Sequence, residues 1–305
     1  MQNGAVVANV PASIPVVILN FTAQGGDGYP IKANGDHFRY LLADGTLSST
    51  VDEALDFTAA ANVPVNALGE QKAMEDYFDK SYRLEETLAA QGKMNLLAKT
   101  RALLERIEVV SIRQREPRGL GHAVLTARPA VGDAPFAVLL PDDVFDADPP
   151  AIGQLCDVYE ATGKGCVALL ETPGEEHRYG IVKGTPTTED PRRWNIEDMV
   201  EKPKAGTAPS SMAIMGRYVL PGEIFDILEK TPPGAGNEIQ LTDAMRVLCQ
   251  SKGMHGYQYH GTRYDTGTAL GFLKANLAYA WKRPEMREAL AETFKALLDG
   301  KPVPQ

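Results

Sequence analysis

The stretch Phe136-Ala137-Val138-Leu139-Leu140-Pro141-Asp142-Asp143 decides the fold: five apolar residues are followed by a proline and two aspartates. A short apolar run bounded by turn residues predicts a buried strand. In open α/β sheets, ligands bind beyond the carboxyl ends of the strands. Mg²⁺ prefers oxygen ligands from one or two carboxylates plus substrate phosphates. A carboxylate here is therefore a candidate metal ligand, and Asp142 is favoured because of the companion runs described below; the alternative is that one of the aspartates caps the next segment.

Short apolar runs alternate with stretches of helical spacing on both sides of this strand. A strand is predicted at residues 16–19, and a helix at residues 152–161 leads into another strand at residues 166–170. This alternation predicts an α/β fold, with a mostly parallel mixed sheet flanked by helices. From residue 179 onward, the pattern shifts toward antiparallel strands, predicted at residues 179–182, 195–201 and 212–220.

The remaining helices and strands are predicted from the spacing of their apolar residues, which differs between helices and strands. A strand is also expected at residues 257–260, and a long helical tail at residues 270–298 is interrupted by Pro284. Further helices are expected at residues 52–61, 71–84, 94–106, 121–128, 223–229 and 239–250, and a further strand at residues 107–112.

Composition excludes several classes of protein. The formal net charge of -9 argues against nucleic-acid binding, which requires a basic surface. No stretch approaches the roughly 20 apolar residues of a membrane span, so no membrane partner is expected. Cys156, Cys166 and Cys249 are an odd number without CxxC spacing, which indicates thiols in a reducing cytoplasm. An acidic protein that binds phosphates must use lysines, helix amides or metal ions.

A glycine-containing run from Gln114 to Ala123 precedes a predicted helix. Glycines at a helix start let the backbone approach a ligand closely, with free amides facing outward. The Gln114 side chain offers both a donor and an acceptor to a base edge. The alternative for Gly119 and Gly121 is an ordinary tight turn.

Two later runs carry charged groups suited to a sugar phosphate and a metal. In Val200-Glu201-Lys202-Pro203, the carboxylate is able to accept bonds from sugar hydroxyls and the lysine to neutralise a phosphate. The alternative is a solvated strand end. In Asp265-Thr266-Gly267-Thr268, Asp265 is a candidate second metal ligand, and a threonine that caps the next helix is the competing interpretation.

Together these runs resemble the bacterial UTP–glucose-1-phosphate uridylyltransferases in order and approximate spacing. Residues 179–182, 213–220 and 234–244 add to the resemblance, which spans residues 70–282. It implies a Rossmann-like nucleotide-diphospho-sugar transferase domain over residues 1–282, with a C-terminal helical tail over residues 283–305. It also implies UTP and glucose 1-phosphate as substrates, UDP-glucose as product, Mg²⁺ as cofactor, a role in polysaccharide biosynthesis and a cytoplasmic homodimer or homotetramer.

The resemblance assigns roles to individual residues. Asp142 and Lys202 would carry the catalysis, with Asp142 as one of the metal ligands. The full set comprises uracil contacts by Gln114 and Gly119, sugar-phosphate contacts by Gly180, Glu201 and Lys202, and Mg²⁺ ligands Asp142 and Asp265.

The N-terminal part departs from the family pattern. Relatives carry a Gly-x-Gly-Thr-Arg loop and a second, catalytic lysine, whereas residues 21–39 place Asp27 near the arginine and Asp36 near that lysine. The glycines of the loop partly survive and Lys32 matches the first lysine, whereas Ala269 stands where relatives often have a lysine. Losing one preorganised charge contact costs about 3 kcal/mol at a transition state. A catalytically weak or inactive paralogue that binds nucleotide sugar and regulates or assembles with an active subunit is therefore the alternative to an active enzyme, and a transferase for another nucleotide or sugar is a third.

Overall fold

The computed structural model describes residues 80–104 and 109–302, together with short strands at residues 16–18, 40–41 and 63–64. The loop at residues 21–39 and the predicted helix at residues 52–61 lie outside the described residues. The strands are β1 Val16–Ile18, β2 Tyr40–Leu41, β3 Val63–Pro64, β4 Phe136–Leu139, β5 Asp143–Asp146, β6 Cys166–Glu171, β7 Gly180–Pro186, β8 Arg193–Glu201, β9 Met212–Leu220, β10 Met254–Gln258 and β11 Thr262–Asp265.

Helices separate many of these strands along the chain. Short 3₁₀ turns also occur at Glu176–Arg178 and Ala235–Asn237. The α-helices are α1 Tyr82–Ala90, α2 Met94–Leu104, α3 Leu120–Thr126, α4 Arg128–Val131, α5 Ala151–Thr162, α6 Ile224–Lys230, α7 Leu241–Lys252, α8 Ala269–Trp281 and α9 Pro284–Leu298.

A seven-stranded mixed sheet forms the centre of the described chain, in the order β1-β4-β9-β6-β10-β8-β7. Strand β1 is parallel to β4 and β6 is parallel to β10, whereas β9 lies antiparallel between β4 and β6. Strand β8 is antiparallel to both β10 and β7. Strands β1, β4, β6, β7 and β10 therefore share one direction, and the predicted mixed α/β sheet with helices on its faces is confirmed.

The apolar side chains of the central strands divide between two cores. On β6, Val167 and Leu169 face the layer of α3, α6 and α7, while Cys166 and Ala168 face α5. Successive strand residues point to opposite faces, so a continuous apolar run is expected where helices cover both faces. The Phe136 ring of β4 stacks on Phe225 of α6 at 4.8 Å between centroids. This packing anchors β4, whose carboxyl end leads to Asp142.

Some element predictions were wrong. In the predicted strand at residues 107–112, the described residues 109–112 carry no strand, and Val109, Val110 and Ile112 are exposed. Their β-branched side chains favour extended backbone, but within the described chain no neighbouring strand pairs with them. Strands β5 and β11 were not predicted, because each has four residues and includes charged ones, without an apolar run.

The C-terminal helices break where the proline predicts. Helix α8 ends at Trp281 and α9 begins at Pro284, since proline at a first helical position lacks only an N–H that would be unbonded anyway.

The division into a domain over residues 1–282 and a tail over residues 283–305 stays a prediction. Among the helices described, none is both long and apolar enough to cross a membrane.

The cysteines are free thiols, as predicted. Cys166 and Cys249 are buried and Cys156 is half-buried. Burial, followed by the nearby Glu160 carboxylate, raises the pKa of Cys156 to about 11. Such a thiol stays protonated near neutral pH and is a poor nucleophile.

Candidate active site

A two-stranded ribbon ties the end of β4 to a segment much later in the chain. Strand β5 pairs with β11 so that Asp143 lies opposite Asp265. Thr266 extends the link, because its backbone N–H and its hydroxyl both donate to the carbonyl oxygen of Asp142, at 2.7 and 2.8 Å. The ribbon thus brings the two predicted metal ligands, Asp142 and Asp265, to one place.

The two carboxylates flank the same glycine. A β-carbon built on Gly267 would lie 3.2 Å from Asp265 Oδ1 and 3.3 Å from Asp142 Oδ2. The Gly267 N–H also donates to Asp265 Oδ1 at 3.2 Å. A glycine here leaves a small space lined by hard oxygen atoms, which suits Mg²⁺. Within the described residues, no cluster of three or more His, Cys, Asp or Glu is placed to hold a metal.

Asp143 has a structural role that distinguishes it from its neighbour Asp142. Its Oδ1 accepts a 2.6 Å bond from Arg263 Nε and a second bond from the same guanidinium, while its Oδ2 accepts from the Gly216 N–H at 2.8 Å. Burial alone would lower the pKa of Arg263, but the Asp143 carboxylate raises it overall. Asp143 is therefore part of a buried ion pair and not a helix cap.

The competing interpretation of Thr268 as a helix cap is confirmed without displacing the metal prediction. The Thr268 hydroxyl accepts a hydrogen bond from the Gly271 N–H at 3.1 Å. Thr268 is thus the N-cap of α8, which begins at the next residue. Asp265 lies three residues earlier, and its Oδ1 accepts the hydrogen bond from the Gly267 N–H. Its Oδ2 lies 3.4 Å from an Arg178 nitrogen and 3.9 Å from Arg263, so two cations stabilise this carboxylate.

The predicted sugar-phosphate residues meet where β7 begins and β8 ends. Gly180 lies opposite Glu201 in the β7–β8 ladder. The Thr242 hydroxyl of α7 donates to Glu201 Oε2 at 2.7 Å. A β-carbon on Gly180 would lie 3.1 Å from both of these oxygens, so a larger residue would press on the pair. Thr242 was not predicted as a site residue, although it stands in the run at residues 234–244 that contributed to the resemblance.

Lys202 has an unusual backbone. Its φ is 43°, in the left-handed region, which among the described non-glycine residues only Asn237 shares. The Lys202 N–H donates to the Tyr179 carbonyl at 3.0 Å, and Nζ lies 4.0 Å from Glu201 Oε1. Strained backbone of this kind persists where the surroundings hold it, and it is concentrated at functional sites. The Lys202 side chain is 60% exposed, which leaves its ammonium accessible to an anion.

The predicted nucleotide residues also lie together. Gly119 has a φ of 95° just before α3, and Gln114 Nε2 donates to its carbonyl oxygen at 3.2 Å. A β-carbon on Gly119 would lie 2.6 Å from Glu238 Cβ. The neighbouring backbone is locked by the Ile239 N–H donating to the Arg118 carbonyl at 2.7 Å. Packing against residues 238–239, and not only a tight turn, requires the glycine.

One segment connects the nucleotide and sugar groups. Glu238 and Ile239 pack on Gly119, and four residues beyond Glu238 the Thr242 hydroxyl reaches Glu201. The metal ligands connect to the same region through Arg178, which precedes the β7 strand and contacts Asp265. The structure therefore places all the predicted site residues in one network of neighbouring segments.

Known proteins resemble this chain in fold and in sequence. A family model described as nucleotidyl transferase matches residues 70–282. The UTP–glucose-1-phosphate uridylyltransferases of Staphylococcus epidermidis and Staphylococcus haemolyticus are each 46% identical over 228 residues, which cover 74% of this chain and 78% of theirs.

Solved structures agree with the sequence relatives. A UDP-glucose pyrophosphorylase complexed with UDP-glucose superposes with a TM-score of 0.63 at 39% identity, over 70% of this chain and 78% of that one. A UTP-bound UGPase from Acinetobacter baumannii gives a TM-score of 0.64 at 37% identity, over 74% and 78%. The chain therefore belongs to the nucleotidyl transferase family and, within it, to the UTP–glucose-1-phosphate uridylyltransferases.

Proposed function

We propose that this protein transfers a uridylyl group from UTP to glucose 1-phosphate, forming UDP-glucose and pyrophosphate. The convergence of Asp142 and Asp265 on Gly267 carries the proposal, because it brings together two carboxylates, one of which contacts Arg178, two residues before Gly180. The names and ligands of the relatives and solved structures support the identity of the substrates.

The reaction requires placement and charge neutralisation more than a protein nucleophile. A phosphate oxygen of glucose 1-phosphate attacks the α-phosphorus of UTP in line, and the bond from that phosphorus to the bridging oxygen of the leaving pyrophosphate breaks. Positioning and electrostatic stabilisation supply most of the catalysis in transfers of this kind. The ammonium of Lys202 is a compact cation suited to the sugar phosphate.

Nucleotidyltransferases of this family generally use a divalent metal ion, and Asp142 and Asp265 would hold Mg²⁺ here. When bound, the ion neutralises negative charge on the phosphate oxygens. The two carboxylates lie where β4 and β11 end, so a rigid sheet and ribbon position them.

The sugar and the base would be held on either side of the phosphates. Glu201 Oε2 accepts from Thr242, which turns the carboxylate so that Oε1 is the oxygen nearer Lys202. This oxygen would accept bonds from glucose hydroxyls, beside Gly180. Gln114 and Gly119 would contact the uracil, since they lie together at the start of α3.

A coupled assay of pyrophosphate release with UTP, glucose 1-phosphate and Mg²⁺ tests the proposal. We expect Asp142→Asn and Asp265→Asn each to lower the rate by about 100-fold or more, as loss of a preorganised charge contact does. Asp157→Asn, at an exposed position on α5, is the matched control and should retain the wild-type rate. A wild-type rate no higher than that of Asp142→Asn would refute the proposed activity.

The same proteins separate the active enzyme from the paralogue. Asp27 and Asp36 are the sequence features that favour weak catalysis, and both lie outside the described residues. Calorimetric binding of UDP-glucose without pyrophosphate release would identify a nucleotide-sugar-binding paralogue. Parallel assays with dTTP test nucleotide preference, and light scattering tests the expected homodimer or homotetramer.

A further inference from the structure

The side chains of Gln114 and His122 form a hydrogen-bonded pair. Gln114 has a proposed role in binding the base, whereas His122 has none so far. Gln114 Nε2 lies 3.2 Å from the Gly119 carbonyl oxygen and 2.9 Å from His122 Nδ1. All three groups belong to the turn that leads into α3 and its first helical residues. Gln114 and His122 are both half-buried, so water competes only partly for these contacts.

The backbone carbonyl determines which way the amide points. A carbonyl oxygen only accepts hydrogen bonds, so the nitrogen of the Gln114 amide, and not its oxygen, must face Gly119. His122 Nδ1 then also faces an N–H group and must act as the acceptor. The His122 ring therefore carries its proton on Nε2.

This arrangement uses both N–H groups of the amide. One donates to the Gly119 carbonyl and the other to His122 Nδ1, so Oε1 is the atom of the amide that remains for a ligand. Reversing the amide would bring its oxygen against two acceptors. Leaving polar groups unpaired in this way is costly.

We propose that His122 is a positioning residue that fixes the Gln114 amide with its oxygen toward the base. The inference rests on the proposed function and deepens its base specificity. The carbonyl oxygen accepts the imino N3–H of uracil, whereas N3 of cytosine is itself an acceptor and would face it unpaired. Thymine carries the same imino N–H, so the pair selects against cytosine and not against thymine.

The UTP:CTP ratio of kcat/KM, measured with glucose 1-phosphate and Mg²⁺, tests this role. His122→Leu removes one of the two acceptors that hold the amide nitrogen, so that only the Gly119 carbonyl opposes its reversal. We therefore expect the ratio to fall about tenfold, the value of one net hydrogen bond. His122→Asn keeps an acceptor oxygen near the position of Nδ1 and should retain most of the wild-type ratio. An equal fall for both nucleotides in His122→Leu would show a merely structural role and overturn the inference.

A second variant and a binding measurement keep the test decisive. If His122→Leu does not fold, Gln114→Leu should lose the same preference, and an unchanged ratio there would overturn the inference. If the wild type releases no pyrophosphate from either nucleotide, the proposed activity fails separately. Calorimetry with UDP-glucose and CDP-glucose then reports the preference, and equal binding of the two by the wild type would overturn the role of His122.

Discussion

Replacing Thr242 with valine removes one hydroxyl and leaves the side-chain volume almost unchanged. The hydroxyl donates to Glu201 Oε2 at 2.7 Å, and Thr242 is only 8% exposed, so valine fits the same space. The proposed function makes Glu201 the acceptor for glucose hydroxyls. Without the hydroxyl, the carboxylate loses the contact that fixes its orientation, and we expect weaker recognition of the sugar.

The structure sets the size of the effect. A hydrogen bond to a charged group contributes about 1.5–3 kcal/mol. The Glu201 side chain is 18% exposed, so water replaces part of the lost bond and the lower part of this range, about 1.5–2 kcal/mol, applies. Each 1.36 kcal/mol is a factor of ten in rate, so kcat/KM for glucose 1-phosphate should fall about 10- to 30-fold.

Initial rates at saturating UTP and varied glucose 1-phosphate measure this change. Thr242→Ser keeps the hydroxyl and is the matched control, expected within about threefold of the wild type because a mobile serine retains most of the bond. The KM for UTP should stay unchanged in both variants. Thermal denaturation of each variant checks that the fold is intact.

Two results would refute the reasoning. An unchanged kcat/KM for glucose 1-phosphate in Thr242→Val would mean that other contacts orient Glu201. A parallel rise of KM for UTP and for glucose 1-phosphate would mean that the substitution disturbs the whole site and not one carboxylate.

Three further changes test the metal site, a buried ion pair and pH. Gly267→Ala places a methyl group 3.2 and 3.3 Å from the two carboxylates proposed to bind the metal, so the Mg²⁺ concentration for half-maximal rate should rise about tenfold; an unchanged Mg²⁺ titration would contradict the proposed site. Asp143→Asn leaves the Arg263 charge without its buried partner, so the free energy of unfolding in urea should fall by about 3 kcal/mol, and a loss below about 1 kcal/mol would show that the pair is dispensable. Burial lowers the pKa of His255 below its ordinary 6.5, although a bond to the Trp194 carbonyl opposes this. The unfolded chain therefore takes up the proton first, and the stability that His255 contributes is present above about pH 6.5 and lost as pH falls toward the folded-state pKa. Urea unfolding at pH 7.5 and 5.5, about one unit on either side of the ordinary value, should show a smaller loss in His255→Gln than in the wild type; equal losses would contradict this.

Much of the site could be predicted because its residues stand at the ends of recognisable elements. The apolar run of β4 predicted a buried strand, and the rule for ligands at strand ends then indicated Asp142. Gly180 and Glu201 were indicated by the resemblance, and the β7–β8 register brings them face to face. The fold class followed from the alternation of periodicities, which depends only on neighbouring residues.

Other parts could not be predicted because they depend on contacts between distant segments. Strands β5 and β11 are short and contain charged residues, and each exists because the other supplies its hydrogen bonds. Thr242 and His122 have ordinary residue types for their helices. Their importance comes from the single atoms they contact, Glu201 Oε2 and Gln114 Nε2, and sequence spacing does not place such atoms.

The two adjacent aspartates show the division most clearly. The sequence alone established that a carboxylate follows the buried strand β4, because an apolar run ending in Pro-Asp-Asp has few other interpretations. The tertiary structure decided which of the two aspartates is held in a buried ion pair. Asp143 begins β5 and turns inward to Arg263 and Gly216. Asp142 lies in the preceding turn, which the Asp143 N–H closes by donating to the Leu140 carbonyl at 3.3 Å, and its carboxylate approaches Gly267. That choice depends on partners far along the chain, which only folding brings into contact.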